Sequence, residues 1–272
     1  MTTSPPQIEK PKVEEEDELA GTEAPLLDHL IELRKRLIYS AIAVVVLMIV
    51  CFIFASRIFD LLLIPYRRAV AHPEDLQLIY TAPQEYFFTQ LNLALFGAIF
   101  LGFPVIASQI YMFVAPGLYK KEKRAFIPYL IATPVFFLLG ALMVYFVVLP
   151  MALHFFAGMQ TNEIKMLTSV SEYLGLAMTL IIAFGICFQL PVILTLLAQI
   201  DLINSSHLKH GRRYAIVAIL ALAALLTPPD PISQIGLATP LYLLYELSIL
   251  SVRWVERSRA KKLAEEAAQQ SN

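Results

Sequence analysis

Residues 37–55 read LIYSAIAVVVLMIVCFIFA, a run of 19 residues without a charged side chain. As an α-helix this run is about 28 Å long, close to the roughly 30 Å hydrocarbon thickness of a bilayer. Further blocks of similar character follow it. We predict spans at 37–55, 87–112, 126–150, 172–200, 214–227 and 232–250. The sequence therefore predicts an all-α integral membrane protein with six transmembrane helices.

The composition supports the same fold class, because 58% of the residues are hydrophobic and only 16% are charged. Soluble domains are about 45–50% apolar and about 25% charged. The two cysteines, Cys51 and Cys187, both lie inside apolar blocks. We interpret each as a small buried hydrophobic residue, since they provide neither a disulfide framework nor metal-ligand spacing. We predict no metal and no cofactor.

The ends of the chain differ from the apolar blocks between them. Residues 1–24 are rich in Pro and Glu and predict a disordered, acidic tail. Residues 25–252 form the predicted membrane domain, and 253–272 form a charged C-terminal tail. Leu26, Leu30, Leu33 and Leu37 repeat at helical spacing, so an amphipathic segment is expected just before the first span.

The fifth predicted span is unusually short. Tyr214 to Thr227 is 14 residues, or about 21 Å of helix, which is less than the hydrocarbon thickness. The following prolines, Pro228, Pro229 and Pro231, stop a helix. We expect a tight turn between spans five and six. We also expect the helices to form a curved scaffold, with a thinner bilayer beside the short fifth span.

The basic residues indicate the orientation of the spans. Cytoplasmic connections of membrane proteins carry an excess of Lys and Arg. One set of connections and ends carries fifteen such residues, whereas the other carries four. The fifteen are Arg34, Lys35, Arg36, Lys120, Lys121, Lys123, Arg124, Lys209, Arg212, Arg213, Arg253, Arg257, Arg259, Lys261 and Lys262. The four are Arg57, Arg67, Arg68 and Lys165. Both termini are therefore predicted to be cytoplasmic.

The sequence contains no phosphate-binding Gly-rich loop with a Lys, no HExxH and no GxSxG, so we do not expect an enzyme. Four polar residues have two interpretations each. Glu32 and Glu122 are either solvated acids paired with basic neighbours, or acceptors for a guanidinium. Gln189 and Gln234, inside predicted spans, either bond one helix to another or face a wet cavity.

Several longer motifs indicate a family. They are HLIELRKR at 29–36, FVAPGLYKKE at 113–122, YFVVLP at 145–150, FGICFQLP at 184–191, LTPPD at 226–230 and SQ at 233–234. In these motifs the sequence resembles the TatC family, the large subunit of the twin-arginine protein translocase. The matching motifs occur in the family's order across residues 26–250.

The resemblance implies a receptor for folded precursor proteins whose signal peptide carries two consecutive arginines. It implies that Glu122, supported by Glu32, contacts those arginines at the cytoplasmic surface, with Arg34, Phe113 and Arg124 in the same binding site. It also implies intramembrane or partner contacts and structural positions. The contacts are Gln189, Leu225, Leu226, Thr227 and Gln234, and the structural positions are Pro65, Pro116, Pro191, Pro228, Pro229 and Asp230.

The resemblance further implies a curved, glove-like bundle in a bacterial cytoplasmic (inner) membrane. The expected partners are the single-span subunits TatA and TatB, docking along spans five and six, and further copies of the receptor. Transport would draw on the proton motive force, and no nucleic acid is involved.

One residue departs from the family's common pattern. Many members carry glutamate where this chain has Gln189, and a glutamine cannot titrate. A hydrogen-bonding role remains open at this position. The glutamines within the spans also leave a second hypothesis, a proton-coupled transporter of small solutes, for which the missing internal repeat is unfavourable.

Overall fold

The computed structural model describes residues 13–69, 78–114, 127–160, 168–226 and 231–270. Nine α-helices lie in these ranges, and a π-helical segment, Val144–Val148, joins the fourth to the fifth. The helices are α1 Val13–Ile53, α2 Ala55–Ala69, α3 Glu85–Val114, α4 Ile127–Met143, α5 Leu149–Ala157, α6 Val170–Cys187, α7 Leu190–Gln199, α8 Ser205–Leu226 and α9 Pro231–Gln270. Extended structure in the same ranges is limited to one isolated parallel bridge, between Ile79 and Ser169. The predicted all-helical fold is confirmed.

Five helical stretches of the described chain are long and apolar enough to cross a membrane. They are His29–Ile53, Glu85–Phe113, Pro128–Ala157, Val170–Gln199 and Gln234–Lys261. Large apolar side chains on their outer surfaces are exposed, among them Ile42, Val46 and Ile49 of α1. An apolar exterior of this kind is suited to lipid rather than to water.

The helix α8 covers 214–226 of the predicted fifth span but is not among these five stretches. Its first nine residues, 205–213, include His207, Lys209, His210, Arg212 and Arg213, and its apolar part begins only at Tyr214. The short apolar length expected from the sequence is therefore present, within a helix of 22 residues.

The helices extend further than the sequence indicated at both ends of the chain. The first helix begins at Val13, twelve residues before Pro25, whereas residues 1–24 were expected to be disordered. The residues at 14–18 are all acidic, and acidic side chains are favourable at a helix N-terminus. The last helix continues to Gln270 without a break at 252, where the charged tail was expected to begin.

The helix α2 was not predicted from the sequence, because its hydrophobic stripe is interrupted by charge. Its face with Leu62, Leu63 and Tyr66 is buried, whereas Arg67 and Arg68 are exposed. This pattern is that of an amphipathic helix. It packs against α3 and α5.

The main helix contacts are α1 with α3, α4 with α6, and both α7 and α8 with α9. The α4–α6 crossing depends on two glycines. A Cβ atom at Gly140 would lie 2.7 Å from the Phe184 carbonyl oxygen, and one at Gly185 would lie 2.5 Å from Cε2 of Phe137. Small residues allow membrane helices to approach this closely.

A proline within α2 is accompanied by two hydrogen bonds that join this helix to its neighbours. Pro65 has no N–H to donate to the carbonyl of Leu61, four residues earlier. The hydroxyl of Tyr145, in the π-helical segment, donates to that carbonyl at 2.8 Å. The hydroxyl of Tyr173 in α6 donates to the adjacent carbonyl of Leu62 at 2.6 Å. Pro65 thus lies beside two carbonyl groups of α2 that accept from tyrosines of other segments.

We predict that Gly140→Ala lowers stability by about 1–3 kcal/mol, because the added methyl group overlaps the backbone of α6. The measurement is the midpoint of thermal unfolding of the purified protein in detergent. Gly175→Ala in α6 is the matched control, since a Cβ there meets no atom within 4 Å. We expect that control to be unchanged or to gain up to about 1 kcal/mol from helix propensity. Equal midpoints for the two variants would contradict the close approach.

Candidate functional site

Glu32 lies on α1 where this helix packs against the last turns of α3. Nη2 of Arg36, one turn later on α1, is 3.2 Å from Oε1 of Glu32. The other terminal nitrogen of Arg36, Nη1, is 3.4 Å from Oε1 of Gln109 and 3.5 Å from Sδ of Met112, both on α3. We call Glu32, Arg36, Gln109 and Met112 the α1–α3 polar cluster. In this cluster a carboxylate and a guanidinium of α1 lie beside the last turns of α3.

An aromatic contact lies beside this cluster. The ring of His29 stacks on Phe113 with centroids 4.2 Å apart and an interplanar angle of 19°. His29 and Glu32 are three residues apart and therefore share one side of α1. The structure thus brings Phe113 and Glu32, two of the predicted site residues, to the same edge of the α1–α3 pair.

The surroundings of Glu32 are intermediate between water and protein interior. The side chains of Arg36 and Glu32 are 26% and 29% exposed. Coulombic attraction is stronger in such a position than in bulk water, although partial exposure keeps the net value of an ion pair small. The Nε of Arg36 is buried and has no hydrogen-bond partner among the described residues. The guanidinium of Arg36 therefore has an N–H donor without an acceptor among the described residues.

Arg34 does not belong to the polar cluster. It is two residues from Glu32, which is about 200° around a helix of 3.6 residues per turn, and it is exposed. The other predicted site residues, Glu122 and Arg124, and the predicted structural residue Pro116, fall in 115–126, outside the described residues. Their part in the site remains a prediction.

Gln189 lies at the break between α6 and α7. It is 6% exposed, and its Nε2 donates to the carbonyl of Thr133 in α4 at 3.0 Å and to that of Gly185 at 3.4 Å. The backbone N–H of Gln189 bonds to Ile186, one residue short of the α-helical partner Gly185. At the break the Gly185 carbonyl loses its backbone N–H donor, and the side-chain amide of Gln189 replaces that donor. The same amide bonds this segment to α4. Pro191, in the first turn of α7, is buried.

The predicted partner-contact residues at the α8–α9 hairpin are more exposed. Leu225 is 83% exposed, and Leu226 is half-buried. Nε2 of Gln234 donates to the Leu220 carbonyl at 3.3 Å, which joins α9 to α8. Thr227, Pro228, Pro229 and Asp230 lie outside the described residues.

A second ion pair holds the other end of the hairpin. Nη2 of Arg212 is 2.7 Å from Oε2 of Glu246, and the Tyr242 hydroxyl donates to Oε1 of the same carboxylate at 3.0 Å. Oε1 and Oε2 of Glu256 in turn accept the N–H and hydroxyl of Ser205, each at 2.6 Å, at the start of α8. Glu246 therefore acts as a contact between α8 and α9.

Four members of the site were not identified from the sequence: Arg36, His29, Gln109 and Met112. The Glu32–Arg36 pair had a detectable signal, because acidic and basic residues four positions apart meet on a helix. The stacking partner His29 is in the same motif. Gln109 had no signal, since its role depends on which helix packs beside α1. Among the described residues no group of three or more His, Cys, Asp or Glu could hold a metal ion.

The apolar helical fold, with five stretches long enough to cross a membrane among the described residues, defines the class of the protein as a polytopic membrane protein. Comparison with known proteins makes the class specific. Residues 28–240 match the family model of the Sec-independent protein translocase protein (TatC). The chain belongs to the TatC family, whose members are protein translocase components rather than catalytic enzymes.

Individual relatives support this membership over most of the chain. The TatC protein of Magnetococcus marinus is 45% identical over 246 residues, which cover 90% of each chain. That of Escherichia coli is 36% identical over 230 residues, covering 85% of this chain and 88% of the relative. A crystal structure of the twin arginine translocase receptor TatC is 36% identical, with a TM-score of 0.74. The match covers 84% of this chain and 99% of that one.

We predict that Gln189→Leu lowers stability by about 1–3 kcal/mol, because buried carbonyl groups lose a donor. The measurement is thermal unfolding in detergent. Ile186→Leu is the control, since that side chain is on the same turn but 56% exposed. A Gln189→Leu variant as stable as the control would show that the amide is not needed between α4 and α6.

Proposed function

We propose that this protein recognises the twin-arginine signal peptide of folded precursor proteins and nucleates their translocation. The observation that carries the proposal is the position of Glu32, a partly exposed carboxylate at the edge of the α1–α3 pair beside Phe113. The connection that follows α3 contains Glu122. Two carboxylates are the acceptors that two adjacent guanidinium groups require.

The chemistry of the ligand supports this assignment. An arginine presents a planar fork of N–H donors that a carboxylate accepts at two points, which a lysine cannot reproduce. The basic neighbours of Glu122, including Lys121, Lys123 and Arg124, favour its ionised form. They also repel a cationic peptide that fails to engage the carboxylates. Phe113 belongs to the same proposed site, whereas Arg34, on the other side of α1, is proposed only as an outer contact for the peptide.

The proposed topology has six spans with both termini in the cytoplasm of a bacterium and the protein in its inner membrane. The excess of Lys and Arg on one set of connections supports this orientation. The sixth crossing is supplied by α8, whose apolar part is short. Glu32 and Glu122 then both face the compartment in which precursors are made.

The proposed partners are the single-span subunits TatA and TatB, precursor proteins, and further copies of this chain, with the proton motive force as the energy source. The α8–α9 hairpin is the proposed contact for the single-span subunits. Its support is the exposed Leu225 and the amide of Gln234, which lies near the same end. The alternative of a small-solute transporter gains no support, because Gln189 and Gln234 both bond one helix to another.

We predict that Glu122→Arg weakens binding of a twin-arginine signal peptide at least tenfold, since a reversed charge at such a contact costs about 1.4 kcal/mol or more. The measurement is fluorescence anisotropy of a labelled peptide with the full chain in lipid nanodiscs. Glu172→Arg is the matched charge reversal, at an exposed glutamate in the first turn of α6, and it should bind like the wild type. Undiminished binding by Glu122→Arg would refute the assignment of this residue.

A further inference from the structure

Arg36 is paired with Glu32, the carboxylate to which the proposed function assigns an arginine of the signal peptide. We propose that Arg36 is an internal competitor, a guanidinium of the protein's own that holds Glu32 while no signal peptide is bound and must leave it when one arrives. This inference rests on the proposed function and adds a residue that sets the strength of binding.

The contact between Arg36 and Glu32 is of a kind that a ligand can replace. One nitrogen faces one carboxylate oxygen at 3.2 Å, rather than two nitrogens facing two oxygens. Both side chains are more than a quarter exposed. Ion pairs in such positions contribute little, and a bidentate arginine–carboxylate pair is stronger. A peptide arginine that approaches Glu32 with both nitrogens therefore has the advantage.

Arg36 also has other acceptors to use after release. Its Nη1 already faces Oε1 of Gln109 and Sδ of Met112 on α3. A guanidinium has five N–H donors, so its head can move away from Glu32 while it remains bonded to α3. Gln109 thus provides an alternative position for the Arg36 side chain, and no movement of a helix is required.

Internal competition has a thermodynamic signature. The apparent affinity of any ligand that uses Glu32 is the intrinsic affinity multiplied by the fraction of molecules in which that carboxylate is free. The factor is the same for every such ligand. Removal of the competitor should therefore strengthen binding of a twin-arginine peptide and of a variant peptide to the same extent. A residue that positions Glu32 would have the opposite effect, since its removal would weaken binding.

The test uses the full chain in lipid nanodiscs and labelled signal peptides that carry Arg-Arg, Arg-Lys or Lys-Lys. We predict that Arg36→Gln binds the Arg-Arg and Arg-Lys peptides about threefold more tightly than the wild type, the size expected from loss of a partly exposed ion pair. The ratio of the two affinities should be unchanged. Gln109→Leu should shift affinity in the opposite direction, because Arg36 then has one acceptor fewer away from Glu32.

Two controls separate competition from a general loss of positive charge. Lys35→Gln removes an equal charge from an exposed neighbour and should leave affinity within the error of the wild-type value. In a Glu32→Gln background, Arg36→Gln should have no further effect. Equal tightening by Lys35→Gln, or tightening that persists without Glu32, would overturn the proposal, as would unchanged or weaker binding by Arg36→Gln. If Arg36→Gln fails to insert, Arg36→Lys replaces it, with tighter binding again expected.

The wild-type peptides distinguish this inference from the proposed function. A wild-type protein that binds Arg-Arg and Lys-Lys peptides equally would refute the twin-arginine receptor itself. A wild-type protein that discriminates between them, together with an Arg36→Gln variant that binds no more tightly, would refute internal competition alone.

Discussion

Carbonyl groups that prolines and helix breaks leave without a donor determine how these helices fit together. Hydrocarbon contains no water that could satisfy them, so the protein must supply the donor. The carbonyl of Leu61, deprived of a partner by Pro65, accepts from Tyr145. That of Gly185 accepts from Gln189, whose side-chain amide also donates to the carbonyl of Thr133 in α4. Apolar contact alone does not distinguish a neighbouring helix from lipid. These few polar bonds therefore fix which helices are neighbours and at what height.

The same principle applies at the edge of the bundle, where the proposed binding site lies. There the α1–α3 contact is made by the stacking of His29 on Phe113 and by Arg36 between Glu32 and Gln109. Water has partial access to this edge, so its polar bonds are weaker and can be exchanged. The bonds of Gln189 and Tyr173 are buried, whereas those of Arg36 are partly exposed. In the proposed function this division would let charged groups exchange at the edge of the bundle while the interior bonds remain.

The sequence predicted the parts of this structure that depend on composition and periodicity. The all-helical class and the regions of the long apolar helices followed from runs such as 37–55, whereas the glutamines within spans were left with two interpretations. Helix ends were less predictable: α1 begins at Val13 and α9 continues to Gln270 because charged residues are also good helix formers. Gln109 could not be identified at all, since its partner is 73 positions away in the chain. Contacts between distant segments depend on packing, which local patterns do not encode.

The length of α9 has a mechanical consequence. Its 40 residues make a rod about 60 Å long, about twice the hydrocarbon thickness. Glu256 is bonded to Ser205, and Arg259 is paired with Asp201, so the rod is fastened to the junction of α7 and α8 about two-thirds of the way along its length. That junction acts as a fulcrum for a rigid lever. A tilt of about 10° over the roughly 16 Å of helix beyond Arg259 would displace its tip by about 3 Å. The arm on the span side, from Pro231 to Arg259, is about 42 Å long, so a rearrangement among the spans would reach the far end of the chain reduced by more than half.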